Sequence, residues 1–238
     1  MDTVDALTAA AFTARVRGVA TAEQLAAYDR YFPPAERGDD VFVGARMGHV
    51  FALAKEFGAM PLDEVERLLE SDVHEDRVGA VSILDVRARA KGATVEQRRA
   101  LYDLYLRRHD RINTWDLVDR AAIHVVGAYA AEHDRGAFAR LAASPDRWER
   151  RTALIASFAL VRRGETDDAL AVAAACVDDP EDTVNKAVGW LLRSIGGAEL
   201  VAFLEAHAAD MPRAALRAAV EKLEPDVRRR YLRAAREG

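Results

Sequence analysis

The chain has 238 residues, half of them hydrophobic and 31% charged, with a net charge of −5. This is an ordinary globular composition, long enough for one large domain or a repeat array. A single cysteine, Cys176, excludes an internal disulfide and a cysteine-built metal site, and no apolar run reaches the length of a membrane span.

Proline and glycine are sparse, at 7 and 14 residues, while Ala, Leu, Arg and Glu abound. That balance favours helix throughout. The acidic start, Met1-Asp2-Thr3-Val4-Asp5, lacks the pattern of a signal peptide, so a cytoplasmic protein is expected. Helices are predicted over 4–17 and 22–32, with Pro33-Pro34 stopping the second. A loop follows at 36–45. The next helix runs through Val50, Leu53, Ala54 and Phe57 and ends at Gly58. Pro61 begins another, with Leu62, Val65, Leu68 and Leu69 on one face. Glu75-Asp76-Arg77 opens a helix to about Ala90, and Thr94-Val95-Glu96-Gln97 is a capping-box pattern for the one after.

The stretch Ile112-Asn113-Thr114-Trp115-Asp116-Leu117-Val118-Asp119 stands apart. Asn113 or Thr114 can cap a helix whose first turn holds Asp116, where the helix dipole favours negative charge. Trp115 and Asp119 are four residues apart, which sets an indole beside a carboxylate on one helical face. This helix is predicted to run to about Ala131. Further starts fall at Asp134, Ser144-Pro145-Asp146, Thr166-Asp167-Asp168, Asp179-Pro180-Glu181-Asp182, Met211-Pro212-Arg213 and Pro225.

Three starts share a pattern of acidic residues, then a basic one, then a small one. They are Glu75-Asp76-Arg77-Val78-Gly79-Ala80, Glu149-Arg150-Arg151-Thr152-Ala153 and Asp182-Thr183-Val184-Asn185-Lys186-Ala187, with Pro212-Arg213-Ala214-Ala215 a weaker copy. Trp115 precedes Arg151 by 36 residues, and Arg151 precedes Trp190 by 39. That is close to the roughly 40-residue period of HEAT-type repeats. The expected fold is all-α: a C-shaped, HEAT-like α-solenoid of antiparallel helix pairs. It is expected to form a single domain over 1–238, with N-terminal helices to 35, the loop over 36–45, and repeated pairs over 46–238. In such a stack equivalent positions line the concave face, so Trp115, Asp119, Arg151 and Trp190 are expected to converge there. Charge is uneven: residues 81–163 carry +6, against −7 for residues 1–80 and −8 for residues 164–212. A basic middle on an acidic frame can make a local anion-binding surface.

Trp115-Asp116-Leu117-Val118-Asp119, Arg151-Thr152-Ala153, Lys186-Ala187-Val188-Gly189-Trp190 and Met211-Pro212-Arg213 resemble the hallmark segments of the AlkD-type DNA alkylation repair family. Their order and spacing match across roughly residues 20–235. The resemblance implies a DNA glycosylase that hydrolyses the N-glycosidic bond of cationic alkylpurines, such as 3-methyladenine and 7-methylguanine, without flipping the base. It implies Asp119 as the catalytic carboxylate and Trp115 and Trp190 as indoles flanking the deoxyribose. Arg151, Lys186, Arg193, Tyr28 and Arg213 are the implied DNA contacts. The implied partner is duplex DNA containing alkylated purines, bound by a monomer, with no metal or organic cofactor. Two departures stand out. Gly44-Ala45-Arg46-Met47-Gly48-His49 lacks the family's proline, and Asp182-Thr183 stand where some members carry aromatic residues. A non-catalytic DNA-structure binder and a protein-binding HEAT scaffold are alternatives on the same fold. A metal-dependent HEAT hydroxylase would need several His-Glu pairs, and only His74-Glu75 is read as one.

Overall fold

A computed structural model describes residues 7–32 and 39–234. Pro33-Pro34, the start of the 36–45 loop and the first residues of the 4–17 helix lie outside the described residues. The described chain is all-helical, with no strand; two isolated bridges join Ala20 to Ala45 and Val41 to Val73. It forms two compact units, Met1–Ala121 and Ala122–Gly238. Each is a run of helix pairs in the α-solenoid manner.

In the first unit α1 (Ala9–Gly18) and α2 (Ala22–Tyr28) precede α3 (Met47–Glu56) and α4 (Leu62–Leu69). Then come α5 (His74–Ala88), α6 (Val95–Arg107) and α7 (Trp115–Ala122), whose last residue opens the second unit. Side-chain caps set the early boundaries: Thr8 accepts from the Ala11 amide and Thr21 from the Gln24 amide. Thr94 and Gln97 form the expected capping box. The first helix is shorter than the 4–17 reading, starting only at Ala9 behind the Thr8 cap.

α5 is the axis of this unit, with α3 and α4 packed against it. It is buried along nearly its whole length, including His74, Glu75, Asp76 and Arg77, each at 0% exposure. Four polar residues in one fully buried turn require partners, because desolvating a charge without compensation is costly. Asp76 accepts from the Thr13 and Ser71 hydroxyls, and the partners of the other three build the site described below. Phe12 meets Phe57 edge to face at 5.2 Å and lies over Gly79, where a side chain would overlap the Phe12 ring.

In the second unit a π turn, Ile123–Gly127, leads into α8 (Ala128–His133). There follow α9 (Gly136–Ala142), α10 (Arg147–Ala156), α11 (Phe158–Arg162) and α12 (Thr166–Ala175). The run closes with α13 (Asp182–Ile195), α14 (Gly197–His207), α15 (Arg213–Ala219) and α16 (Pro225–Ala234). Helical structure from Trp115 thus reaches His133, as expected, but through a π turn. The single helix predicted after Asp146 is instead two, α10 and α11, parted at Ser157, whose hydroxyl donates to the Ala153 carbonyl at 2.8 Å. α10 packs on α9 and α13, and α13 on α15. The α13–α15 approach depends on Gly189, since a Cβ there would stand 2.5 Å from the Ala215 carbonyl oxygen.

The repeated sequence pattern has a structural meaning. Arg77 on α5 is fully buried and donates to the Asn113 side chain at 3.0 Å, just ahead of α7. Arg151 on α10, 1% exposed, reaches the Thr183 carbonyl and hydroxyl at the start of α13. Arg213, in the weaker copy, donates to the Leu232 carbonyl at 2.7 Å on α16. In these three cases a guanidinium ties one helix to a later segment, while Lys186, the basic residue of the remaining copy, is exposed. A planar fork with five donors suits this role better than an ammonium.

Candidate functional site

α7 carries two side-chain pairs at helical spacing, Trp115 with Asp119 and Asp116 with Arg120. Each pair shares a face, and the two faces differ by about 100°. The second face is fastened to α5. Asp116 accepts from His74 Nε2 at 2.8 Å, and its other oxygen accepts from the Thr114 hydroxyl at 2.7 Å. One turn on, Arg120 Nε donates to the Ser82 hydroxyl at 2.8 Å while its guanidinium lies 4.2 Å from the Phe51 ring centroid. With that face fixed, the Trp115–Asp119 face has one orientation. Trp115 is 38% exposed and Asp119 half-buried. The Thr114 carbonyl accepts the Val118 amide at 3.3 Å, so Thr114 rather than Asn113 occupies the N-cap position. Asn113 is engaged by Arg77.

Beneath Trp115 lies an aromatic cluster. The Phe32 ring stacks on the indole, with centroids 5.5 Å apart and planes at 15°. Phe32, Phe42 and Tyr28 pack on one another, and the His74 ring stacks on Phe42 at 4.6 Å. A buried charge cluster adjoins these rings. His74 Nδ1 is 3.5 Å from an Asp40 carboxylate oxygen, which also pairs with Arg77. Burial alone would lower the imidazole pKa. The charge and hydrogen bond of Asp116, with Asp40, outweigh it and raise His74 to about 9. Burial likewise works to raise Asp40, but His74 and Arg77 hold its carboxyl below the ordinary value.

The segment preceding α3 is held by Glu75. Its carboxylate accepts from three successive amides, Val43 at 3.1 Å, Gly44 at 2.7 Å and Ala45 at 3.2 Å. Gly44 has φ +89°, and a side chain there would strike the Thr21 carbonyl. The turn therefore needs glycine at this position.

In the second unit the Arg151 guanidinium lies 5.3 Å from the Trp190 ring centroid. Trp190 is half-buried, and Lys186, one turn earlier on the same face of α13, is exposed. Arg193, three residues beyond Trp190, pairs with Glu221. Asp182-Thr183 form the start of α13, and Thr183 receives Arg151.

The sequence-derived site residues thus fall into two groups. Trp115 and Asp119 share a face in the first unit, and Trp190, Lys186 and Arg151 cluster in the second. Tyr28 is buried, 3% exposed, with its hydroxyl donating to the Ala45 carbonyl. Burial, then the charges of Glu75 and Asp116, push that phenol well above its usual value. In this arrangement Tyr28 and Arg151 hold other groups in place, and Arg213 joins two helices. The +6 of residues 81–163 is largely engaged in ion pairs with the acidic flanks: Arg107 and Arg108 with Glu66, Arg135 with Asp168, Arg147 with Glu181, Arg150 with Asp179 and Arg163 with Glu165. His74, Asp40 and Phe32 were not among the sequence-derived candidates. The one available signal was three consecutive charges, Glu75-Asp76-Arg77, inside a helix with an apolar continuation.

An all-helical protein of this kind, with an indole–carboxylate pair on α7 and a cation-backed indole on α13, is of the α-solenoid class. Comparison with known proteins narrows the class. A model of the DNA alkylation repair enzyme family matches residues 12–223, and the chain belongs to that family. No curated protein matches. A solved structure of a predicted DNA alkylation repair enzyme from Enterococcus faecalis shares the fold, with a TM-score of 0.66 at 19% identity, over 87% of this chain and 97% of that one. Among the described residues no helix is long and apolar enough to cross a membrane.

Proposed function

We propose that this DNA alkylation repair enzyme is a glycosylase that hydrolyses the N-glycosidic bond of cationic alkylpurines, 3-methyladenine and 7-methylguanine, in duplex DNA. The observation that carries the reading is the Trp115–Asp119 face of α7, held in place by the separate attachment of Asp116 and Arg120 to α5. Departure of a cationic purine leaves an oxocarbenium-like sugar. A fixed carboxylate stabilises that charge and orients the attacking water, and an indole face attracts developing positive charge. Asp119 is the carboxylate in this scheme, and Trp115 packs against the deoxyribose.

Trp190 is the second indole of the proposed machinery, braced by Arg151, with Lys186 and Arg193 on its helix face toward phosphate. In this reading the lesioned base leaves from within the duplex, without extrusion. We read 1–238 as one HEAT-like repeat domain acting as a monomer. Single-turnover release of 7-methylguanine from methylated duplex DNA tests the proposal. Release that disappears in Asp119→Asn supports it. Binding of methylated and unmodified duplex alike, with no release by the wild type, replaces it with a non-catalytic DNA-structure binder.

A further inference from the structure

We propose that His74 is a positioning residue for α7: as an imidazolium it clamps Asp116, and through Asp116 it fixes the turn that presents Trp115 and Asp119. The catalytic consequence rests on the glycosylase reading; the clamp itself does not.

His74 is fully buried and touches α7 by two routes. One is the 2.8 Å hydrogen bond to Asp116, the residue next to Trp115. The other is Phe32, whose ring contacts the imidazole at 5.0 Å and stacks on the Trp115 indole at 5.5 Å. The two ring nitrogens face carboxylates on different segments, Nε2 toward Asp116 and Nδ1 toward Asp40 at 3.5 Å. A neutral imidazole has one N–H and one lone pair, so either tautomer turns a lone pair on a carboxylate. Only the cation turns an N–H toward both, hydrogen-bonding Asp116 and facing Asp40 as an ion pair.

The surrounding groups agree with this. Arg77, from α5 itself, pairs with Asp40 and opposes the charge on His74, but two carboxylates face two cations. Glu75 is taken up by the amides of Val43, Gly44 and Ala45, and Tyr28, from α2, by the Ala45 carbonyl. Phe32 and Phe42 cover the ring and exclude water. The raised pKa of about 9 accords with the geometry. Deprotonation in alkali would leave Asp116 and Asp40 facing a neutral ring in a water-poor site. The α7 attachment and the Trp115–Phe32 stack would then loosen.

The experiment labels the protein with 5-fluorotryptophan and follows the three ¹⁹F resonances from neutral pH to about pH 10.5. Trp148 and Trp190 lie in the other unit and serve as internal controls. The Trp115 resonance is expected to move with a midpoint near 9, alone among the three. His74→Gln, which keeps a donor and loses the charge, is expected to abolish that transition. Asp116→Asn is expected to move the midpoint downward, toward the ordinary histidine value. Single-turnover excision by the wild type should fall about tenfold through the same pH range, while His74→Gln, already slowed by about that factor, should show a flat profile there.

A Trp115 resonance that does not move in the wild type, or that moves identically in His74→Gln, overturns the clamp. If His74→Gln fails to fold, the imidazole ¹⁵N shifts of wild-type His74 decide. A ring found neutral at pH 7 overturns the proposal, and one titrating with the Trp115 midpoint supports it. A Trp115 transition without excision at any pH upholds the clamp and removes the glycosylase reading.

Discussion

The Trp115 indole lies nearly parallel to the Phe32 ring, with centroids 5.5 Å apart, and still leaves 38% of its surface exposed. A large aromatic held on one side by another ring has lost its rotamer freedom before any ligand arrives. The ordering cost of a docking surface is thus already met in the free protein. The carboxylate one turn away, Asp119, shares that fixed frame.

Two carboxylates three positions apart on α7 are expected to behave in opposite ways. Asp119→Asn should slow 7-methylguanine release by about 10²–10³-fold while leaving duplex affinity near wild type. Asp116→Asn should instead destabilise the protein by about 3–5 kcal/mol, because it leaves buried His74 with too little compensating charge. Thermal melts and single-turnover assays on the two variants separate these outcomes. Equal rates for Asp119→Asn and wild type would dismiss Asp119 as the catalytic group.

Trp115→Ala should slow excision more than Trp190→Ala, since Trp115 adjoins the carboxylate. Trp115→Phe should recover part of the loss, because a phenyl ring can still stack on Phe32. Trp190→Ala removes the ring beside the Arg151 guanidinium. Rates measured on a methylated duplex at saturating protein check the order, which is reversed if Trp190 carries the larger share.

Duplex binding should weaken with salt, but only by a shallow slope, because most arginines of residues 81–163 already face carboxylates. Lys186→Ala, on an exposed side chain, should reduce the slope of log affinity against log salt by about one. Arg151→Ala should act differently. It should cost roughly 2–4 kcal/mol of stability through the loss of the Thr183 contacts, and Arg151→Lys should restore little of it. Salt titrations of binding and denaturant melts of these variants distinguish phosphate contact from helix joint.

Stability should decline on both sides of neutrality. His74 is raised from 6.5 to about 9 by folding. Its contribution is therefore complete below about pH 6.5 and is lost as pH rises through about 9, on the order of 3 kcal/mol in all. Asp40 is held below its ordinary value, so its contribution is present above about pH 4 and lost as pH falls through the folded pKa. Urea melts across the pH range should show the alkaline loss in the wild type and not in His74→Gln.

Gly189→Ala should be more damaging than an ordinary helix Gly→Ala change, which is usually favourable. The new Cβ would meet the Ala215 carbonyl at 2.5 Å, so α13 and α15 must separate. A loss of about 1–3 kcal/mol is expected by thermal melting, while Gly92→Ala, with open space around it, should be neutral.

Much of this protein is a local matter and was legible residue by residue. Helix starts follow from short-range chemistry, such as the Thr94–Gln97 box and the Asp146 cap on the Trp148 amide. The pairing of Trp115 with Asp119 follows from helical spacing alone, and the family follows from segments of fixed order. The buried side of the site was decided elsewhere. Nothing near Asp40 in the chain announces that it will meet His74 and Arg77, and Arg151 reads like any surface arginine until α13 arrives to cover it. Pattern along a helix tells which residues share a face. Whether a charge on that face meets water or a counter-charge depends on which distant segment packs over it, because desolvation and ion pairing are properties of the assembled surroundings.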